Sequence, residues 1–340
     1  MGSWRLLRGC WRGVPPRPEV LGAALAELLP RVQRTGLQGL AWRHLKEHPE
    51  LSGEEAEALR QAHRFHALRN ANRDRELVGA VGALRAVGVE PILIKGWAVG
   101  RLYPEPGLRP YGDIDLLVRA DALAAAREAL HAAGDVRFSV DLMDGGPWDR
   151  SVEELHRSSL LVPLLGIPIR VPCAEDHLRI LCLHLLHHGA WKPIWLVDVA
   201  VALETRPPGF NWERFLAGDA RHTEWALAVL RLAHEVLGAE VGGTPAEKGP
   251  PLPRWLVPAV LAAWTRGSGA SAQAALGRGL ALSPWRPRAL VREVRAHWRG
   301  PIEATVELGA PLNNWPRFPL QLAATARRVP PLLGRMLRGA

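Results

Sequence analysis

Two aspartates, Asp113 and Asp115, lie two residues apart in an apolar segment whose pattern predicts a strand over 112–118. Because side chains alternate between the two faces of a strand, both carboxylates project to one side, while Ile114 and Leu116 point into the core. Two like charges so close repel each other unless a cation lies between them, and carboxylate oxygens suit Mg²⁺ or Mn²⁺. The spacing favours a metal site, although short Asp-x-Asp patterns also arise by chance in strands and turns.

A third acid, Asp141, lies in a second predicted strand over 136–143. If that strand is the neighbour of the first, the Asp141 carboxylate lies one strand spacing, about 4.8 Å, from the aspartate pair. Three acids on two strands are the minimum for a two-metal site that transfers phosphoryl groups. The sequence thus indicates Asp113, Asp115 and Asp141 as the metal-binding and catalytic acids.

A candidate phosphate-binding segment precedes these acids. Gly96 follows the predicted strand over 91–94 and begins a helical turn, so its missing side chain lets a phosphate approach backbone N–H groups. Lys95 adds a positive charge beside it, and Arg109 can reach the same phosphates with its planar guanidinium. Two alternatives stay open: a surface role for Lys95, with its stem along apolar surface, and a surface salt bridge for Arg109.

Helices and short strands alternate around these residues. Apolar stripes at 21–29 and 77–84 predict at least two helices before the first strand. Downstream, the patterns predict helices over 121–132, 151–157 and 174–188 and an extended segment over 167–171. This alternation predicts an α/β unit.

The run LIKGWAVGRLYPEPGLRPYGDIDLLV is followed by a helix, a strand that carries an acid, and the segment VPCAEDHLRILCLHLLHHGAWKPIWLVDVAVAL. Over about residues 70–205, this combination resembles bacterial nucleotidyltransferase-like proteins of the DNA polymerase β superfamily, in the group whose signature is LKG, then Tyr, then R-x-x-G-D-x-D. The resemblance implies an α/β (α+β) fold, in which a small mixed-sheet nucleotidyltransferase palm is embedded in a mainly helical protein. It also implies Asp113 and Asp115 as the metal-binding pair and Asp141 as the third acid.

The sequence departs from the family pattern in two places. In that superfamily a Gly-Ser pair usually begins the helix beneath the triphosphate, and here Lys95-Gly96 occupies its place. Many relatives carry a His and an aromatic residue after the third acid, whereas this chain has Leu142 and Met143. The first departure bears on where the triphosphate binds, and the second bears on the role of Asp141.

The activity that the resemblance implies is nucleotidyl transfer from an NTP with Mg²⁺ or Mn²⁺. Asp113 and Asp115 hold two metal ions on the triphosphate, and Asp141 orients or activates a hydroxyl or similar acceptor, with pyrophosphate released. The sequence identifies neither which NTP is used nor the acceptor, which is a small molecule, a peptide or a protein. Two alternatives are a catalytically inactive nucleotide-binding or scaffold protein of the same fold and an enzyme that transfers the γ-phosphoryl group.

Four further side chains could do chemistry on two apolar helices. His177, His184 and His188 share one face of the helix over 174–188, which favours a polar stripe toward solvent or a cleft over a zinc site. Asp198 lies on the next helix, where a buried carboxylate needs a partner such as an arginine or an amide. A functional role for these four residues stays open.

Charge is distributed unevenly along the 340 residues, whose formal net charge is +9. Residues 251–340 hold 13 arginines and three glutamates, whereas residues 1–250 carry 30 basic and 31 acidic groups. In this basic quarter, the segment 283–300 interleaves Trp with Arg in the pattern of an amphipathic helix. We expect ordinary packing there first, an acidic partner second, and membrane or nucleic-acid binding third.

The patterns divide the chain into four regions. These are an N-terminal helical region (1–70), a nucleotidyltransferase-like core (71–172), a helical region packed on that core (173–245) and a basic, Trp/Arg-rich C-terminal helical region (246–340). The best candidate linker is the Gly/Pro-rich segment 242–253. No apolar run approaches the roughly 18 residues of a membrane span, and no secretion signal is recognised, so we expect a cytoplasmic protein. The spacing of the three cysteines suggests neither disulfides nor a zinc site, and we expect buried thiols.

Overall fold

The computed structural model describes residues 3–12, 22–33, 35–51, 53–134, 140–145, 149–266 and 298–327. Three helices precede the first strand, in agreement with the apolar stripes: α1 (Gly22–Val32), α2 (Gln38–Leu45) and α3 (Gly53–Ala86). A short 3-10 helix, Ser3–Leu7, lies before them. Leu28 of α1 and Leu77 and Leu84 of α3 are buried, as the 3.6-residue spacing of apolar residues requires.

The central sheet has three strands, β1 (Ile92–Leu93), β2 (Ile114–Leu117) and β3 (Val140–Met143), in the order β1-β2-β3. β1 runs antiparallel to β2, and β2 runs parallel to β3. One helical turn, α4 (Trp97–Gly100), lies between β1 and β2, and helix α5 (Leu123–Ala132) makes the crossover that parallel strands need. The first part of the predicted strand 136–143, up to residue 139, lies outside the described residues.

Helices cover both faces of this sheet: α3 and α5 on one, α6 (Val152–Ser158) and α7 (Ala174–His187) on the other. Ile114 and Leu116 pack into the core with α3 and α5, as the alternation along β2 predicts. Leu117 packs on the opposite face with α6 and α7. Asp115 lies two residues before Leu117 in β2, so the two side chains share one face of the sheet.

A two-stranded hairpin, which the sequence predicts only in part, follows α6. β4 (Leu160–Leu164) and β5 (Ile167–Val171) pair antiparallel through Leu165 and Gly166, whose φ angles are 49° and 82°. The extended segment predicted over 167–171 is confirmed, whereas β4 has no counterpart in the prediction. Its continuous apolar run lacks the polar alternation of a strand, and leucine is unusual at a turn position with positive φ.

Six more helices complete the described part of the chain: α8 (Pro193–Glu204), α9 (Trp212–Leu216), α10 (Ala220–Leu237), α11 (Leu256–Arg266), α12 (Pro301–Glu307) and α13 (Phe318–Ala326). Spatial contacts divide the chain into two units, one of Met1–Leu183 and Ile194–Gly249, the other of His184–Pro193 and Pro250–Ala340. The change of unit after Gly249 falls inside the predicted linker. The four-region division made from the sequence stays a prediction.

In the described residues of the second unit, α12 contacts both α11 and α13. Trp264 of α11 donates a hydrogen bond from its ring nitrogen to the carbonyl oxygen of Ala190 (2.8 Å). Arg299 forms ion pairs with Glu303 and Glu307 of α12. Residues 283–297 of the amphipathic helix predicted over 283–300 lie outside the described residues.

The predicted fold class is confirmed, because a small mixed sheet is embedded in a mainly helical protein. The cysteines are free and buried, as expected: Cys10, Cys173 and Cys182. Burial raises the pKa of the Cys173 thiol to about 11. Within the described residues, no helix has the length and apolar character needed to cross a membrane.

Candidate active site

The pairing of β2 with β3 brings two of the predicted acids side by side. Asp115 and Asp141 are direct partners in the parallel register, so they share a face of the sheet one strand spacing, about 4.8 Å, apart. Asp113 lies two residues before Asp115, directly before the first residue of β2. Asp113 and Asp141 are exposed, and Asp115 is half-buried. We call these three residues the acidic face.

The predicted phosphate-binding turn lies against the acidic face. Lys95 Nζ is 3.2 Å from Asp115 Oδ1, so the lysine supplies a positive charge beside that carboxylate. The N–H of Ile94 donates to the carbonyl oxygen of Asp115 (3.2 Å), which fixes the end of β1 against β2. Gly96 has a φ of +62°, and a Cβ added there would lie 3.3 Å from the carbonyl oxygen of Asp113. Both the backbone angle and the close contact favour glycine at this position.

The carboxylates of the acidic face suit a hard divalent cation by their chemistry, but they do not form a closed cluster. Among the described residues, Lys95 is the sole side chain that forms a hydrogen bond or ion pair with any of the three. In the same part of the chain, no group of three or more His, Cys, Asp or Glu side chains has the geometry to hold a metal ion. Carboxylate oxygens therefore stay available to Mg²⁺ or Mn²⁺, which would share Asp115 with Lys95.

Arg109 lies in a buried ion pair with Asp198 of α8. Its Nη2 and Nε donate to the two carboxylate oxygens at 2.9 and 3.2 Å, and the Tyr103 hydroxyl donates to Asp198 Oδ1 at 2.7 Å. The side chains of Arg109 and Asp198 are 10% and 1% exposed. The partner expected for Asp198 is thus an arginine. Arg109 thus forms a salt bridge, as the alternative expected, although the pair is buried and not at the surface. Its contact with phosphate stays a prediction.

Burial and charge act in opposite directions on this ion pair. Burial alone lowers the pKa of Arg109, but the charge and hydrogen bonds of Asp198 outweigh it, and the pKa is raised. The Asp115 carboxylate adds to the rise. Burial first, and then the charge of Asp198, raises the pKa of Tyr103 well above its usual value. At neutral pH the arginine is therefore charged and the phenol is neutral.

Two polar side chains of α3, which sequence reasoning missed, hold the segment that follows Arg109. Asn70 donates to the carbonyl oxygen of Arg109 (2.9 Å) and accepts from the N–H of Tyr111 (3.4 Å). Asp74 accepts a short hydrogen bond from the Tyr111 hydroxyl. Tyr103 and Tyr111 are the two tyrosines of the chain, and their positions on either side of Arg109 were the signal that could have pointed to this support.

The histidines of α7 do not form the solvent-facing stripe that their spacing favours. His177 and His184 are buried, with 2% and 8% of their surface exposed, while His188 is exposed. The imidazole of His177 lies near the backbone of Ile94, directly before Lys95. His177 therefore packs against the turn that carries the predicted phosphate-binding residues.

A pH dependence of stability follows from the burial of His177. Burial first, and then the charges of Arg101 and Arg109, lower the pKa of His177 to about 3, whereas an unfolded histidine titrates near pH 6.5, roughly its unperturbed value. Between these values the unfolded chain binds more protons, so the free energy of unfolding falls as the pH falls, by up to about 1.4 kcal/mol per pH unit. In urea denaturation between pH 7 and pH 4, we expect a shallower pH dependence for His177→Gln than for the parent. Equal slopes for His177→Gln and the parent would contradict this expectation.

A family of nucleotidyltransferases, described as uncharacterised, matches residues 23–139 and 141–238 of this chain. The chain belongs to this family. The matched residues include the acidic face, the Lys95–Gly96 turn and the Arg109–Asp198 pair, and they extend on both sides of the range 70–205 that the motifs cover. Comparisons with curated proteins and with solved structures give no match. The particular group of the DNA polymerase β superfamily stays a prediction.

Proposed function

We propose that this chain is a metal-dependent nucleotidyltransferase, which moves a nucleoside monophosphate from an NTP to a hydroxyl or similar acceptor and releases pyrophosphate. The observation that carries the proposal is the register of β2 and β3, which pairs Asp115 with Asp141, while Asp113 lies directly before β2. Membership of a nucleotidyltransferase family supports it. The chemistry of the three carboxylates fits Mg²⁺ or Mn²⁺ as the metal.

Each acid has a role in this proposal. Asp113, Asp115 and Asp141 hold the divalent cation, which when bound offsets the charge of the triphosphate and polarises the α-phosphorus. Asp141 faces the acceptor and takes the proton of its hydroxyl. The acceptor oxygen then forms a bond to the α-phosphorus while the bond to the pyrophosphate oxygen breaks. The exposure of Asp141, the acid at the third strand, leaves it accessible to a second substrate.

The triphosphate binds at the turn between β1 and α4 in this proposal. Lys95 lies 3.2 Å from Asp115 and can exchange that carboxylate for a phosphate oxygen when a metal ion takes its place. Gly96 lets this turn pack closely on the backbone of Asp113, which brings the turn next to the first acid. Arg109 adds positive charge from the adjoining ion pair. A glycine with positive φ replaces the Gly-Ser pair of the superfamily at this turn.

Metal and nucleotide are expected to stabilise the chain together. A ligand at 100 times its dissociation constant adds about 2.7 kcal/mol to the free energy of unfolding, which corresponds to a rise in melting temperature of roughly 5–10 °C for a domain of this size. We expect this rise with Mg²⁺ or Mn²⁺ plus one or more of ATP, GTP, CTP and UTP, and a smaller one with the metal alone. A folded chain whose melting temperature responds to no metal–NTP combination would contradict the proposal.

Product analysis separates the three functions that this fold allows. Nucleotidyl transfer releases pyrophosphate, whereas transfer of the γ-phosphoryl group leaves a nucleoside diphosphate and no pyrophosphate. A scaffold protein binds the NTP and forms neither product. Because the acceptor is not identified, the assay contains a mixture of small molecules, peptides and proteins. A heat-inactivated sample of the chain is the blank.

We also propose an acidic partner for the basic region 246–340. The excess of arginine in residues 251–340 supports it, and so do two exposed aromatic side chains, Trp315 (76%) and Phe318 (62%), which line a surface cavity with Arg254. An acidic partner binds such a surface more weakly as salt is added. Binding of polyglutamate that is absent at low salt, or unchanged by salt, would contradict this part of the proposal.

A further inference from the structure

Both cations that the sequence assigns to phosphate binding are already engaged with carboxylates. Lys95 pairs with Asp115. Arg109 directs Nε and Nη2 at Asp198, and its Nη1 is 3.4 Å from the carbonyl oxygen of Pro110. A triphosphate that approaches the acidic face therefore meets no free cation from the predicted set.

Arg69 of α3 lies beside Gly112, in the extended segment that leads into β2. Its Nη2 is 2.9 Å from the position that a Cβ on Gly112 would occupy, and Gly112 directly precedes Asp113. Arg69 is exposed. Among the described residues it takes part in no hydrogen bond and no ion pair. Its guanidinium nitrogens therefore remain available to an anionic ligand next to the first of the three acids.

The fold fixes the part of α3 that carries Arg69. Asn70, the next residue, bonds to the carbonyl oxygen of Arg109 and to the N–H of Tyr111, and Asp74 accepts from the Tyr111 hydroxyl. These three bonds tie α3 to the segment immediately before Gly112. They fix the helix backbone from which the Arg69 side chain extends, so the residue stays on the side of α3 that faces this segment.

We propose that Arg69 is a phosphate-binding residue of this site and that it contacts the triphosphate of a metal-bound NTP. The inference rests on the proposed function and adds a cation that lies outside the sequence motif. A guanidinium presents a planar fork of donors that matches the oxygens of a phosphate, whereas Lys95 acts as a point charge. Arg69 thus supplies, from helix α3, positive charge in a site that lacks the usual Gly-Ser pair.

Arg69→Gln tests the inference. We expect the Kd of Mg²⁺ with an NTP that the parent binds, and of Mg²⁺ with inorganic tripolyphosphate, to rise about tenfold to a hundredfold, the range for loss of a charged hydrogen bond. The melting temperature without ligand stays at the parent's value, because Arg69 makes no bond in the described structure. Arg69→Lys recovers part of the affinity. Arg64→Gln, an exposed arginine five residues earlier on α3, is the matched control and keeps the parent's Kd.

Gly112→Ala provides a second, independent variant. The backbone of Gly112 is outside the left-handed region, so alanine is tolerated there, but its Cβ would displace the Arg69 guanidinium. We expect Gly112→Ala to weaken NTP binding in the parent and to have no further effect in the Arg69→Gln background. Weaker binding by Gly112→Ala together with a parental Kd in Arg69→Gln would mean that alanine acts through Asp113 instead, and it would overturn the inference.

The outcomes separate this inference from the proposed function. If the parent binds metal–NTP and Arg69→Gln binds it with the same Kd, the role of Arg69 is wrong and the proposed function stands. If the parent binds neither an NTP nor tripolyphosphate with Mg²⁺, both fail together. A lower melting temperature of Arg69→Gln without ligand, with an unchanged Kd, would assign Arg69 to stability and also overturn the inference.

Discussion

Asp113→Asn and Asp115→Asn are expected to lower nucleotidyl transfer by more than about a hundredfold and to abolish the stabilisation by metal plus NTP. Asparagine keeps the size of the side chain and most of its hydrogen-bonding capacity, but it removes the negative charge that a divalent cation needs. Loss of a residue that only supports a metal ligand typically costs about 10- to 100-fold in metal affinity or activity, and loss of a ligand itself costs more.

The two substitutions should differ in their effect on stability without metal. Asp113 is exposed and, among the described residues, forms no hydrogen bond or ion pair with another side chain, so folding does not depend on its charge. Asp115 pairs with Lys95, and their side chains are 14% and 20% exposed. We expect Asp113→Asn to leave the melting temperature unchanged or slightly raised. Asp115→Asn should lose at most about 1 kcal/mol.

Melting curves with and without Mg²⁺ and NTP, beside transfer assays, measure both effects. Asp121→Asn is the control, because it removes an exposed carboxylate outside the acidic face. Asp141→Asn should spare NTP binding more than the other two, since its proposed role lies nearer the acceptor. Full transfer activity in Asp113→Asn, or a marked loss of its stability without metal, would refute the catalytic role of the acidic face.

Local sequence patterns were sufficient for four of the five described strands, all except β4, and for the face that Asp115 occupies. The two-residue period of β2 places Ile114 and Leu116 in the core and Asp115 on the other side, as the structure has them. Asp198 could be recognised as a buried acid because the residues around it are apolar over a whole helix. These predictions depend on neighbours in the chain, whose spacing is visible in the sequence.

The partners of the site residues could not be predicted, because they are distant in the chain. Arg109 and Asp198 are 89 residues apart, and Asn70 reaches the Arg109 carbonyl across 39 residues. Nothing in a local pattern distinguishes a guanidinium that binds phosphate from one that binds a carboxylate brought close by folding. The position of Arg69 could not be predicted for the same reason, because its neighbour Gly112 is distant in the chain.

Asp198→Asn is expected to lower the melting temperature by on the order of 10 °C. The substitution leaves the Arg109 guanidinium buried without a negative partner, and removal of one member of a buried ion pair costs about 3–5 kcal/mol, at roughly 2–4 °C per kcal/mol for a domain of this size. Tyr103→Phe removes one hydrogen bond to Asp198 and should cost about 1 kcal/mol. If Asp198→Asn and Tyr103→Phe lower the free energy of unfolding by similar amounts, the ion pair contributes little to stability.

The double variant Arg109→Met with Asp198→Leu separates stability from function at this pair. Apolar side chains of similar volume often replace a buried ion pair without loss, so the double variant should recover most of the stability that Asp198→Asn loses. If Arg109 also contacts the triphosphate, as the motif predicts, the double variant is folded but binds Mg²⁺ with NTP at least about tenfold more weakly than the parent. Tyr103→Phe keeps the charge of Arg109 and should keep the parent's affinity. Parental affinity in the folded double variant would assign Arg109 to stability alone, and phosphate binding would then fall to Lys95 and Arg69.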